Sequence, residues 1–401
     1  MTARNILWIL TTQWRAQATG YGGDPNARTP QLNRLAARSV NYVQAVTPHP
    51  MGPFARATLL TGLRSPANGV RGYFDPLPSG ARTIAHDLNG RGYLTAFFGK
   101  WHLGQRDHTS PLVGEAHARS VVPLAGRGGF QFWEGFESGF LLNDPWLHGT
   151  VLPAPQAFSG YQSDVLVDRF AAWLEPQAKD RPIFAVVSLE APHPPYAAPA
   201  AGIVPRNDDE LVLAPNVSRG GAVEARARKE LAGYYAHIEA TDRAIGRLIA
   251  TVDESWTVVF TSVHGDMHGA HGLFRKGWPH EESVRVPLLV RRPDTAPCTD
   301  ESAVSLVDVH GMTVAWASPN SLPPAPVPAT HAAISMPSVV ALPHQCDRVW
   351  RGIRTKSRKL IVNDDGTPWL FFDLERDPWE LADLVDDPSR TSELHELLKL
   401  I

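Results

Sequence analysis

The chain has 401 residues, of which 43% are hydrophobic and 20% charged, and its formal net charge is −3. Enough apolar residues are present for one or two large cores, while the near-zero net charge gives the whole molecule no attraction to nucleic acid or to anionic membranes. No uninterrupted apolar stretch approaches the ~18 residues that span a bilayer. Two cysteines, Cys298 and Cys346, make no disulfide framework and read as free thiols of a reducing compartment. An apolar run begins directly after Asn5 with no signal peptide, so the expectation is a cytoplasmic protein.

In chain order, short β-branched and aromatic runs at residues 5–10, 94–98, 183–189 and 257–261 predict buried parallel strands. Helical apolar spacing appears between them at residues 29–38, 160–174 and 224–249, the last carrying Leu231, Tyr234, Tyr235, Ile238, Ile245, Leu248 and Ile249. Strands alternating with helices predict an α/β fold, a mostly parallel central sheet covered on both faces. The main domain is read as residues 1–318. A Pro- and Ala-rich stretch at 319–328 opens a connection over 319–345. Residues 346–401 then predict a small C-terminal antiparallel sheet-plus-helix subdomain: a hairpin over 349–362, a turn at Asp364-Asp365-Gly366, a strand at 371–374 and a helix at 392–400.

Ligands of open α/β sheets bind at the carboxyl ends of the strands, and four strand ends here carry unusual residues. They are Thr11-Thr12-Gln13, Gly99-Lys100-Trp101-His102, Glu190-Ala191-Pro192-His193 and Ser262-Val263-His264-Gly265-Asp266, with Lys276 following. A lone strand-end histidine is usually structural and a lone lysine usually a solvated charge; four such ends together predict one shared site. Arg56, at a predicted helix start, faces the positive end of the helix dipole, a mild conflict that an anion would relieve. His264, His268 and His271 with Asp266 form a local cluster of metal-ligating types. Spread over a strand end and a loop, they read rather as structural or anion-facing groups. Trp14, Phe54, Trp101 and Trp278 are either pocket lining or core, with core expected for at least half of them.

Several of these segments resemble the sulfatase family: Gly20-Tyr21-Gly22 with Thr29-Pro30-Gln31-Leu32-Asn33-Arg34-Leu35-Ala36, the Gly99–Gly104 motif, Ala191-Pro192-His193 through Tyr196, Ser262–Gly272, Lys276–Arg291, and the tail Phe372-Asp373-Leu374 with Asp377-Pro378 and Glu380. The stretch from His49 to Gly62 is similar to the family's nucleophile segment. The resemblance implies an alkaline phosphatase-like fold, a sulfate-gripping set at Arg56, Lys100, His102, His193 and Lys276, and His264 facing the same anion. It also implies a cysteine or serine, converted to formylglycine, at the position held here by Gly52; a slip of one residue would place Met51 there. The family's three metal-binding aspartates fall on Thr11, Thr12 and Val263. A hard cation needs several oxygen ligands, and a buried Lys and His cluster without them has depressed pKa values unless an anion binds.

On these grounds the expectation is a member of that family without classical sulfuric ester hydrolysis, a pseudoenzyme with a metal-free basic pocket for a sulfate-, phosphate- or carboxylate-bearing small molecule. No metal, no calcium and no formylglycine are expected, and neither nucleic acid nor membrane is a partner. Self-association or a protein partner is left open. A second reading is a repurposed, metal-independent enzyme using His102, His193, Lys100 or Lys276 in acid–base catalysis. A third is a sulfuric or phosphoric ester hydrolase with a remodelled metal site.

Overall fold

The computed structural model describes residues 4–177, 180–318 and 330–401. The Pro-rich stretch at 319–328 lies outside the described residues. Ten strands form one sheet: β1 (Ile6–Thr11), β2 (Val40–Tyr42), β3 (Leu94–Lys100), β4 (Phe132–Phe136), β5 (Trp146–Gly149), β6 (Gln156–Ala157), β7 (Ile183–Ser188), β8 (Thr257–Ser262), β9 (Leu288–Arg291) and β10 (Cys298–Asp300). Their order is β10-β2-β9-β8-β1-β7-β3-β4-β5-β6. The four strands expected from sequence, with β4, form its parallel centre, β1 lying between β7 and β8. β9 and β5 run antiparallel to their neighbours, a feature that apolar periodicity does not report.

β1 shows why the centre reads as a continuous apolar run. Ile6, Trp8 and Leu10 face one core, Leu7 and Ile9 the other, and all are buried. Successive side chains of a strand point to opposite faces, so a sheet covered on both sides selects apolar residues at every position. On one face lie α1 (Pro30–Ala36) and two helices that follow later in the chain, spanning Gln162–Leu174 and Ala222–Ala250. The opposite face is covered by α2 (Gly52–Thr61), α3 (Ile84–Asn89) and a later helix, Asp308–Trp316. All ten residues of α2 are buried, and the helix stops at Gly62, whose φ of 67° forms a left-handed cap.

Strands β11 (His331–Met336), β12 (Trp350–Thr355), β13 (Arg358–Asn363) and β14 (Pro368–Asp373) form a second, wholly antiparallel sheet. The expected hairpin is β12–β13, and Asp364-Asp365-Gly366 joins β13 to β14. β11 comes from residues read as connection, and it carries the small sheet onto the large core: Ala332, Ile334 and Met336 join Trp350 there, and Ser335 N–H donates to Pro48 O at 2.8 Å. The terminal helix spans Thr391–Leu398. The fold is thus the expected α/β architecture with a small antiparallel sheet. No helix among the described residues is long and apolar enough to cross a membrane.

The longest helix passes close to the strand-end loop at Tyr196. A Cβ on Gly233 would lie 1.9 Å from Tyr196 O. Alanine in a helix interior gains about 1 kcal/mol over glycine, whereas overpacking against backbone costs roughly 1–3 kcal/mol. With so short an approach the second effect wins. Gly233→Ala is therefore expected to lower the urea midpoint, through a net stability loss of up to about 2 kcal/mol; an unchanged or raised midpoint contradicts this close packing.

Candidate active site

Every expected site residue lies at the carboxyl edge of the large sheet, and the centre of the arrangement is a guanidinium. Arg56, the fifth residue of α2, is 2% exposed. Its side chain donates to Lys100 O at 2.9 Å, Ser188 Oγ at 2.6 Å and Thr12 Oγ1 at 2.9 Å, so it joins the ends of β1, β3 and β7. Its Nε is buried without a partner. Burial lowers its pKa to about 10 against the opposing pull of Glu190 and Glu137.

Lys100 ends β3, is fully buried, and pairs with the equally buried Glu190. Its Nζ lies 4.7 Å from the centroid of Phe140. Burial outweighs Glu190 and lowers its pKa to about 8, with Arg56 adding repulsion. Lys276 donates to Gln13 Oε1 at 2.7 Å. Burial, partly offset by Asp266, lowers its pKa to about 7. An amide oxygen cannot balance an ammonium as a carboxylate does, which explains why Lys276 falls further than Lys100.

Each histidine has a hydrogen bond that sets its tautomer. Arg106 lies 2.7 Å from His102 Nε2; a guanidinium can only donate, so the His102 proton is on Nδ1, an atom with no partner. His193 Nδ1 donates to Pro194 O at 2.7 Å, with its ring stacked 4.3 Å from that of Phe140. His264 Nδ1 donates to Gly265 O at 2.9 Å, leaving Nε2 buried and unpartnered. All three are held neutral, far below the ordinary histidine range, first by burial and then by nearby cations. The cluster therefore offers one N–H donor at His102 and imidazole lone pairs at His193 and His264.

Three groups here were given no role from the sequence. Glu190 stood beside a recognised motif and is the partner of Lys100. Arg106, four residues beyond His102, orients that ring and pairs with Glu137 at 3.4 Å. Phe140 comes from a loop with no motif. Conversely, Trp14, Trp101 and Phe54 are fully buried in the cores, and Trp278 is half-buried against one of them. The three clustered histidines do not converge on one point. His268 packs on Tyr234 at 4.2 Å, and His271 stacks on His280 at 4.4 Å.

The sheet order and this ring of buried cations define the alkaline phosphatase-like class of α/β folds. The sulfatase family model matches residues 4–318, and the chain belongs to that family. It is 35% identical to an ulvan-active sulfatase of Formosa agariphila, over 99% of this chain and 80% of that one. It is 25% identical to a choline-sulfatase of Rhizobium meliloti, over 96% and 84% of the two chains. In fold it is similar to a solved structure in complex with its substrate D-glucosamine-2-N,6-O-disulfate, with a TM-score of 0.81, 20% identity and 100% and 97% coverage.

These relatives correct two expectations. A chain without sulfuric ester hydrolysis, a pseudoenzyme, is overturned by named sulfatases matching almost its whole length. So is the absence of cofactors, since members of the family depend on formylglycine and metal. That expectation rested on the residues at four positions, Gly52, Thr11, Thr12 and Val263, while Arg56, Lys100, His102, His193 and Lys276 are all retained and buried.

The residues at those four positions nonetheless differ from what the cofactors need. Gly52 has no side chain to convert, and a Cβ there would lie 2.8 Å from His102 Nδ1; a formylglycine does not fit. Thr11 and Thr12 direct their hydroxyls to Thr261 O and Leu189 O, each at 3.2 Å, and Val263 is buried in the core, so these three do not fit a hard cation. A group of metal-ligating types lies elsewhere, with Glu380 already paired to Lys359 at 2.6 Å. His271, Glu282 and Glu380 place one ligand atom each within 4.8 Å of one another.

A sulfate ion would meet the unpartnered donors of Arg56 and His102. Saturating sulfate is therefore expected to stabilise the protein against heat, by about 2.7 kcal/mol at a hundredfold excess over Kd, and Arg56→Ala is expected to remove the response. An undiminished sulfate shift in that variant contradicts the assignment.

Proposed function

We propose that the chain hydrolyses a sulfuric ester at this cluster. The observation that carries the reading is the convergence of Arg56, Lys100, His102, His193 and Lys276 in one buried site of a chain belonging to the sulfatase family. The substrate is an anionic small molecule whose sulfate lies against Arg56 and the His102 N–H. Donors fixed before reaction, on side chains that are buried, stabilise charge on the sulfate oxygens as it develops.

No side chain at position 52 can attack, so in this reading the nucleophile is water. Its oxygen bonds to sulfur while one of its protons passes to His193 Nε2. The ester S–O bond breaks, and the departing alcohol oxygen takes a proton from the Lys276 ammonium. Proton exchange with solvent then restores both groups. His193 is unprotonated at physiological pH and so free to accept a proton, and a bound sulfate, by raising its lowered pKa, strengthens it as a base. Lys276, with a pKa lowered to about 7, is poised between donor and acceptor.

Release of inorganic sulfate from aryl sulfates and sulfated sugars tests the reading; no turnover of any sulfate ester by the intact protein overturns it. His193→Ala is expected to reduce kcat by about 10²–10⁴-fold. The pH profile follows from Lys276. Its ammonium is the active form, so kcat/KM should fall as pH rises through about 7. A bound sulfate favours the ammonium and should move the corresponding limb of kcat to higher pH. Lys276→Met should remove the limb, and a limb that persists in that variant assigns it to another group.

A further inference from the structure

A second cavity, of about 500 Å³, opens between the segment after β1 and the loop carrying Trp379. It is separate from the catalytic cluster: none of Arg56, Lys100, His102, His193, His264 or Lys276 lines it. Its size falls within the range of small-molecule sites, roughly 300–1,000 Å³. The chain separates the two within three residues. Gln13 turns its side chain to Lys276, Trp14 packs into the core against Phe260, and Arg15 lines the second cavity.

Arg15 is the unusual group. It is 6% exposed and makes no ion pair among the described residues. Its one side-chain hydrogen bond is a long one, 3.4 Å to Tyr235 Oη. Its Nε is buried with no partner. The Tyr235 hydroxyl itself donates to Asp24, a carboxylate that lines the same cavity; burial works against the Arg15 charge, and Tyr235, Tyr234 and Asp24 together outweigh it. Burying a guanidinium costs several kcal/mol unless a counter-charge reaches it. A second guanidinium, Arg285, lines the same cavity, and so does Gln17, whose amide oxygen and nitrogen are both buried without partners. Tyr42 and Trp379 supply aromatic surface to the remaining wall. Arg285 is balanced by Glu281 at 2.9 Å, so the donors left open to a ligand are those of Arg15 and Gln17.

We infer that this cavity is a second binding site, taking a small cyclic molecule that carries one carboxylate or sulfate group. The oxyanion accepts from Arg15, the Gln17 amide meets a hydroxyl of the ring, and the ring packs against Tyr42 and Trp379. Water can fill such a cavity, but an oxyanion gives the open Arg15 donors a charge-assisted partner that water does not. The site stands independently of the hydrolysis proposed above, because its residues take no part in that reaction.

The test is calorimetric titration of the intact protein into the millimolar range with glucuronate, glucose 6-sulfate and glucose. It is run in an Arg56→Ala background, where the catalytic cluster has lost its main anion contact, and in the wild type. At least one of the two anionic sugars should bind in both backgrounds with equal affinity, and glucose should not bind. The two anions separate a carboxylate site from a sulfate site. Arg15→Gln should weaken binding about tenfold or more, as expected for losing a charge-assisted hydrogen bond. Should that variant fail to fold, Gln17→Ala carries the test, because its amide has no protein partner to lose; a severalfold weakening is expected. Absence of binding by both anions, equal binding of glucose, loss of binding caused by Arg56→Ala, or undiminished binding in the folded cavity variants would each overturn the inference.

Discussion

Burying Arg56, Lys100 and Lys276 at one edge of a sheet is the constraint on which the rest of the site depends. Each ion removed from water costs several kcal/mol, and the three repel one another. The protein offsets this unequally. Lys100 has a carboxylate in direct contact, Arg56 has three neutral acceptors, and Lys276 has one amide oxygen. The depressed pKa values of the two lysines, about 8 for Lys100 and about 7 for Lys276, follow that inequality. The histidines respond to the same field by giving up their charge altogether, so the cluster is basic without being fully cationic.

The scaffold makes that burial possible. A guanidinium that bridges three strand ends needs a rigid platform, and α2 is one, with every residue buried and a left-handed glycine closing it. The strand ends come together because β1, β3 and β7 run parallel and adjacent. Parallel strands deliver all their carboxyl ends to one edge, which is why residues about ninety positions apart, Lys100 and Glu190, meet as a pair.

Much of this was legible in the chain. Double-sided burial produces apolar runs, and those runs located β1, β3, β7 and β8 to within a residue or two. The strand-end rule then led to Lys100, His102, His193 and His264. What could not be read was whatever depends on side-chain pairing across the fold. Glu190, Arg106 and Phe140 acquire their roles only when distant loops meet. Trp14 and Trp101 stand beside site residues and could have been lining or core; strand geometry turns both into the cores. The expectation of no activity has a related cause: four positions, Gly52, Thr11, Thr12 and Val263, were set above the rest of the cluster and a relationship that runs the whole length of the chain.

Gly52 and His102 are best understood as one feature. The imidazole Nδ1 lies 2.8 Å from where a Cβ of residue 52 would stand, so a side chain there and this ring position exclude each other. Glycine leaves the volume to the ring. Arg106 fixes the ring through Nε2 and thereby puts the proton on Nδ1. The field of Arg106, Lys100 and Arg56, added to burial, keeps the ring neutral, so the site gains a donor without a further buried charge. An oriented donor in such an environment is worth about 3 kcal/mol to a developing oxyanion, whereas an imidazolium in the same place would add its own desolvation to that of three cations already buried. The neutral ring is therefore the cheaper way to aim a hydrogen bond at a sulfate oxygen, and the missing side chain at position 52 is what gives it room.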